Sequence, residues 1–369
     1  MEPPFRPWAD LHADLFLPIV DRLPSPRDYV SVRAVCSAWR SSLPSGPQSP
    51  SLLVLDDLLL HDGIPGRNTH VYAVSLPMQR RFRLTTLPCH SSDIVGCSNG
   101  YLTIADGSRL RILNPVTGAK IDLLLLPNNK NPLRLVVGPN PRPDDYTAVA
   151  ICDVNKVAYV ESGDMEWTIT NVIPVNRTRQ LVDLVYNADR GDVYCLDERG
   201  DVRVLHIPRV GRMPQRTVEP LVAHLDTHPY YHAPAGYAPP YHIVGTQMCF
   251  KRVFFCEDTL YQVWKDMRTF MVFRMPLDEI VVLRYYPERW PCWDAVKDLG
   301  GYSVFIDENN TRVVQAEAAT GIRPNCVYFT DCLLCTPWVF DMSKGTSTQC
   351  LLPPTSVGFK TLWYFNSDD

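Results

Sequence analysis

The sequence predicts a mainly β chain in which a short helical module precedes a series of antiparallel hairpins, and three observations carry that expectation. Apolar residues recur at helical spacing only between Asp10 and about Leu43. Beyond that, short runs of Val, Ile, Leu and aromatic residues alternate with Gly, Asp and Asn turns. The 33 prolines among 369 residues are spread along the chain as turn punctuation, which disfavours long helices.

In the module, Leu11, Leu15, Ile19 and Leu23 recur every four residues and form one stripe, with Asp14, Asp21 and Arg22 off it. Ser25-Pro26-Arg27-Asp28 then supplies an N-cap serine, a proline at the first helical position and an acid three residues after the cap. Tyr29, Val32, Cys36 and Trp39 follow at helical spacing, and a further short helix is expected from Cys36 to Leu43 before Pro44-Ser45-Gly46-Pro47 breaks it. A module of about 35 residues buries little apolar area alone, so its exposed Leu, Ile and Val need the following domain or a partner protein.

The stretch from Trp8 to Leu23, and above all Val35-Cys36-Ser37-Ala38-Trp39-Arg40, resembles an F-box. The resemblance implies a three-helix module that docks on the Skp-type adaptor of a cullin-RING ubiquitin ligase. The adaptor contacts it implies are Leu11, His12, Leu15, Phe16, Ile19, Leu23, Tyr29, Val32, Val35 and Trp39. His12 stands where the family usually has proline, so a weaker first contact with the adaptor is expected.

Three later stretches share one layout: strand, tight turn, return strand. Tyr101 to Ile104 turns at Asp106-Gly107-Ser108 and returns through Leu110 to Leu113. Asp192 to Leu196 turns at Glu198-Arg199-Gly200-Asp201 and returns from Val202 to Ile207. Tyr302 to Ile306 turns at Asp307-Glu308-Asn309-Asn310 and returns through Val313 and Val314. Less regular hairpins are drawn at Thr147 to Ile169 and Val253 to Phe273. Roughly 40 to 60 residues separate these units, near the blade length of propeller repeats. Hairpins in series must pack on one another to bury their faces, and radial closure achieves this with few exposed edges.

Phe273-Arg274-Met275 with Leu277, Trp293 to Phe305, Asn325 to Asp331 and Trp338 to Asp341 resemble a C-terminal family signature, and Leu113-Asn114-Pro115-Val116-Thr117-Gly118 is similar to its Leu-Asn-Pro turn. Together with the first 45 residues, the chain resembles the plant F-box proteins that carry the domain of unknown function 295, the KIB-type β-propeller. The fold so implied is an N-terminal three-helix F-box over residues 8–45, a linker at 46–51, and an irregular β-propeller over 52–365. The implied function is recognition of a target protein by the propeller while the F-box holds the adaptor and, through it, cullin.

A net charge of −4 without a Lys/Arg block argues against nucleic acid as a main partner. The longest apolar runs, such as Leu123 to Leu126, fall far short of the roughly 20 residues needed to span a bilayer, so no membrane partner is expected. With Glu2, Asp10 and Asp14 near the start, neither a secretory nor a transit signal fits, and a cytoplasmic or nuclear location is expected. The 12 cysteines then read as reduced, mostly buried thiols.

No P-loop, Rossmann glycine fingerprint, Gly-x-Ser-x-Gly elbow or His-Glu-x-x-His is present, so no catalytic residue is assigned and no cofactor is expected. Cys332-Leu333-Leu334-Cys335 has the spacing of half a zinc site, with Cys326 and Cys350 as candidate further ligands. No second pair completes it, and a strand with buried thiols is the preferred reading. His224, His228 and His232 recur every four residues, but Pro229 disfavours a continuous helix there. The segment from His224 to His242 reads instead as an aromatic loop, in which Tyr230, Tyr231, Tyr237 and Tyr241 are candidate target contacts. Replacing residues 226–240 is expected to spare the core.

Overall fold

The computed structural model describes residues 8, 11–20, 22–23, 26–43, 51–59, 65–76, 81–107, 109–127, 131–174, 179–207, 217–222, 236–245, 248–266, 280–316, 321–330, 336–350 and 360–365. Three short helices come first: α1 (Ala13–Val20), α2 (Pro26–Arg33) and α3 (Ser37–Ser42). Pro26 opens α2 as its fixed φ favours, and Cys36 caps α3 by accepting the Trp39 N–H on Sγ at 3.4 Å. Phe16, Val20 and Leu43 form the small interior of this module, with the Phe16 and Trp39 rings 4.6 Å apart. Val30 leans on the core of the sheets that follow.

The stripe expected from spacing is not the one the helices bury. Leu15 and Ile19 are 62% and 53% exposed, whereas the adjacent row, Phe16 and Val20, faces inward. In a helix of eight residues both rows are apolar, and only the position of α2 and α3 decides between them.

The remaining strands form six sheets arranged as a six-bladed propeller. Blade one opens with β1 (Ser51–Leu59), β2 (Pro65–Ser75) and β3 (Arg81–Leu87). Blade two holds β4 (Ile94–Ser98), β5 (Tyr101–Ala105), β6 (Leu110–Leu113) and β7 (Lys120–Leu123). Blade three holds β8 (Arg134–Val137), β9 (Thr147–Asp153), β10 (Lys156–Glu161) and β11 (Thr168–Asn171). Blade four holds β12 (Leu181–Asn187), β13 (Asp192–Asp197), β14 (Val202–His206) and β15 (Val218–Pro220). Blade five, preceded by the short α4 (Tyr241–Val244), holds β16 (Phe250–Cys256), β17 (Thr259–Lys265), β18 (Ile280–Tyr285) and β19 (Trp293–Ala295). Blade six holds β20 (Tyr302–Ile306), β21 (Thr311–Gln315), β22 (Cys326–Thr330), β23 (Pro337–Asp341) and β24 (Thr346–Gln349). The late strand β25 (Lys360–Tyr364) returns to blade one and pairs antiparallel with β1.

The innermost strands are β25, β4, β8, β12, β16 and β21, packed in that order from β25 to β21 around the axis. Middle strands are covered on both faces by neighbouring blades, which is why they read as apolar runs instead of alternating patterns: all five residues of β5 are buried. Blade six departs from the rest. Its innermost strand is the second of a hairpin, and β22 joins β20 in parallel, giving five strands.

One turn recurs in three blades. Asn114, Asn187 and Asp341 each accept a backbone N–H two or three residues on, and a glycine four residues on donates back to the same residue's carbonyl. Those glycines, Gly118, Gly191 and Gly345, have φ of 79°, 74° and 66°, the region where a side chain is strained.

The ten described cysteines form no disulfide with one another. Among the described residues no helix is long and apolar enough to cross a membrane.

Candidate functional site

Three places on this frame offer chemistry for recognition. The first is the outer face of the helical module. Leu15, Ile19 and Val35 project from it at 53–62% exposure, and Trp8 lies 58% exposed with its carbonyl accepting Trp39 Nε1–H at 2.9 Å. Leu11, Leu23, Tyr29, Val32 and Trp39 are half-buried in the module interior. Phe16, expected among the contacts, is only 3% exposed because it fills the space between α1 and Trp39; it builds the face without presenting itself on it. His12 is exposed and precedes α1, where its Nδ1 accepts the Asp14 N–H at 3.5 Å.

The second place is the aromatic loop. Tyr230, Tyr231, His224, His228 and His232 lie outside the described residues, as do Cys332 and Cys335. Tyr241 is half-buried against the core shared by blades four and five. Tyr237 is a correction to the sequence reading: it is 6% exposed and belongs to that core. Its ring stacks on Trp293 at 5.7 Å, and backbone bonds from Ala238 N to Trp293 O and from Trp293 N to Gly236 O stitch the segment to β19. Gly236 permits this closeness, since a Cβ there would collide with Cys292 Sγ and its φ is +81°.

The Tyr237 hydroxyl donates to Gly200 O and accepts Gln262 Nε2–H at 2.8 Å, and Gln262 Oε1 accepts Trp264 Nε1–H at 2.7 Å. Gly200 belongs to the β13–β14 turn, whose Asp197 Oδ1 accepts the N–H groups of Arg199, Gly200 and Asp201 at 3.0–3.1 Å. Arg179 Nη1 pairs with both Asp197 and Asp201. Burial and then the Asp201 charge push the Asp197 carboxyl up to about 6. A residue that composition assigns to the surface therefore holds two blades together, and replacing 226–240 would remove it.

The third place is the propeller axis. Arg134 on β8 pairs with Asp183 on β12, and Asp183 Oδ2 accepts the Val253 N–H at 2.8 Å. The turn between β20 and β21 enters the same region. Arg252 Nε and Nη2 donate to the carbonyls of Asp307 and Glu308 at 3.2 and 3.0 Å, and Arg134 Nη1 donates to Glu308 O at 3.1 Å. Burial, followed by the nearby Arg134 charge, lowers the Arg252 guanidinium to about 10. Beside this turn lies a cavity of about 380 Å³, lined by the C-terminal ends of β4, β8, β12 and β16 and by the start of β21. The sequence reading did not find this site, because its residues come from five blades. Among the described residues no group of three or more His, Cys, Asp or Glu side chains could hold a metal ion.

The putative 6-phosphogluconolactonase of Bacteroides uniformis is similar at 8% identity and a TM-score of 0.43, over 85% of this chain and 100% of that one. TolB of Acinetobacter baumannii is similar at 10% identity and a TM-score of 0.43, over 93% and 74%. No curated protein matches. The KIB1-4 beta-propeller family model matches residues 71–358, from within β2 to the segment before β25, and the chain belongs to that family.

Proposed function

We propose that the protein is the target-recognition subunit of a Skp/cullin/F-box ubiquitin ligase, with the helical module holding the Skp-type adaptor and the propeller holding a target protein. One observation carries this reading: Leu15, Ile19 and Val35 stay largely exposed on a module whose own interior is already filled by Phe16, Val20 and Leu43. Apolar side chains presented in this way favour a protein partner. The closing Val35-Cys36-Ser37-Ala38-Trp39-Arg40 motif, with Cys36 capping α3 and Trp39 packed on Phe16, supports an F-box as the identity of the module. In this reading the chain makes and breaks no bonds itself. Holding target and ligase on one body raises the effective concentration of one at the other. A cytoplasmic or nuclear setting follows from the ligase role.

Affinity purification with mass spectrometry tests the reading, which expects the adaptor and cullin in the eluate together with one or more non-ligase proteins. A second reading, in which the propeller acts as a scaffold or inhibitor by occupancy outside the ligase, is favoured by His12 in place of the family's proline. It expects the non-ligase partners alone.

A further inference from the structure

We propose that the cavity at the propeller axis is a binding site for a basic side chain, lysine or arginine, presented by the target protein. The proposal deepens the receptor reading above and rests on it for the identity of the partner. At about 380 Å³ the cavity is at the small end of ligand pockets, suited to an extended side chain. Val136, Val185, Phe255 and Val313 are half-buried in its lining and provide apolar wall for an aliphatic stem.

The charge of the lining selects the head group. Glu257 and Asp258 are exposed carboxylates in that lining, and Glu257 Oε1 accepts the neutral Tyr302 hydroxyl at 3.2 Å. The cations there are Arg134, already paired with Asp183, and Arg312, which donates to the neutral Asn99 Oδ1 at 3.4 Å. Acid is therefore in excess. Thr311 Oγ1, enclosed in the same lining, has no hydrogen-bond partner among the described residues, and an ammonium or guanidinium donor would satisfy it. An anion would meet the Glu257 and Asp258 carboxylates. An apolar ligand would cover carboxylates without pairing them. The carboxylates deeper in the axis do not compete for the ligand, since Asp183 and Asp307 are committed to backbone N–H groups.

The test uses the full chain and a short fluorescent peptide of alternating Lys and Ala, with a Glu/Ala peptide as control, read by anisotropy. Wild type is expected to bind the Lys peptide, more weakly as salt rises, and to ignore the Glu peptide. Glu257→Gln with Asp258→Asn should weaken binding by about tenfold or more, and Arg312→Gln should strengthen it. Equal binding of both peptides, an unaffected double variant, or weaker binding by Arg312→Gln would each overturn the proposal. Adaptor recovery is measured on the same samples. Adaptor present with peptide binding insensitive to the variants removes this site and leaves the receptor reading intact. Adaptor absent with acid-dependent peptide binding does the reverse.

Discussion

Asp307 Oδ2 accepts the backbone N–H of Trp363 at 2.6 Å, so a turn of blade six holds the innermost strand of blade one. Oδ1 of the same carboxylate accepts Asn309 and Asn310 N–H at 2.6 and 2.7 Å. Asp307→Ala would leave three backbone donors without acceptors in a buried site, at a cost of about 2 kcal/mol or more. Urea denaturation should show this as a lower midpoint, with Asp307→Asn falling between wild type and Ala. A change within about 0.5 kcal/mol would mean that closure rests on strand pairing alone.

Leu15→Asp with Ile19→Asp should abolish capture of the adaptor while leaving unfolding of the propeller unchanged. Both side chains are more than half exposed in the free protein, so the charge harms only a complex that buries them. Phe16→Ala is the informative contrast. It opens the module interior against Trp39, so it should reduce the helical signal as well as adaptor capture. Intact pull-down by the double aspartate variant would place the contact on another face.

Tyr237→Phe should cost about 1–2 kcal/mol, because the hydroxyl links Gly200 O to Gln262 Nε2 in a closed site. The ring stack on Trp293 would survive in Phe. Tyr237→Ala should cost about 3–5 kcal/mol through the lost packing as well. Thermal unfolding separates the two variants. Equal and negligible losses would return Tyr237 to the surface role that its composition suggests.

Stability should depend on pH through Asp197. Its folded pKa, raised to about 6, exceeds that of an unfolded aspartate, so the folded chain binds more protons between those values. The contribution is complete below the ordinary aspartate range and is lost as pH rises to about 6. Asp197→Asn keeps an oxygen for the turn N–H groups and removes the titration. Denaturation midpoints measured from about pH 4 to about pH 7 should therefore converge on, or fall below, those of the Asn variant as pH rises. Parallel curves for the two proteins would show that another group titrates.

Local features were legible from the sequence. Pro26, Cys36 and Leu43 mark helix ends in α2 and α3, and the hairpins read from Tyr101 to Leu113, from Asp192 to Ile207 and from Tyr302 to Val314 are all formed, the last two with strands that end at His206 and Gln315. Their places in the blades differ, however. The first two pair the second and third strands of a blade, whereas the last is the innermost pair of blade six. Spacing between unlike units could not count blades. Tyr237 was misread because a Tyr- and Pro-rich segment has the same composition in solvent and in a stack; the positive φ at Gly236, beside Cys292, has no mark in composition. The axial cavity was invisible for a different reason: Asp189, Glu257 and Arg312 are joined only by closure of the ring.

Blade one also sets a timetable for biosynthesis. Strand β1 leaves the ribosome early, yet its partner β25 is made roughly 300 residues later, and a contact of such long sequence separation is slow to form. Until then Leu52–Leu55, fully buried in the finished propeller, have only β2 beside them and leave one apolar strand edge open to association with other chains. The nascent protein should therefore depend on chaperone cover until β25 is made, and a stop codon before Lys360 should lower the yield of soluble protein far more than the loss of so short a segment would suggest.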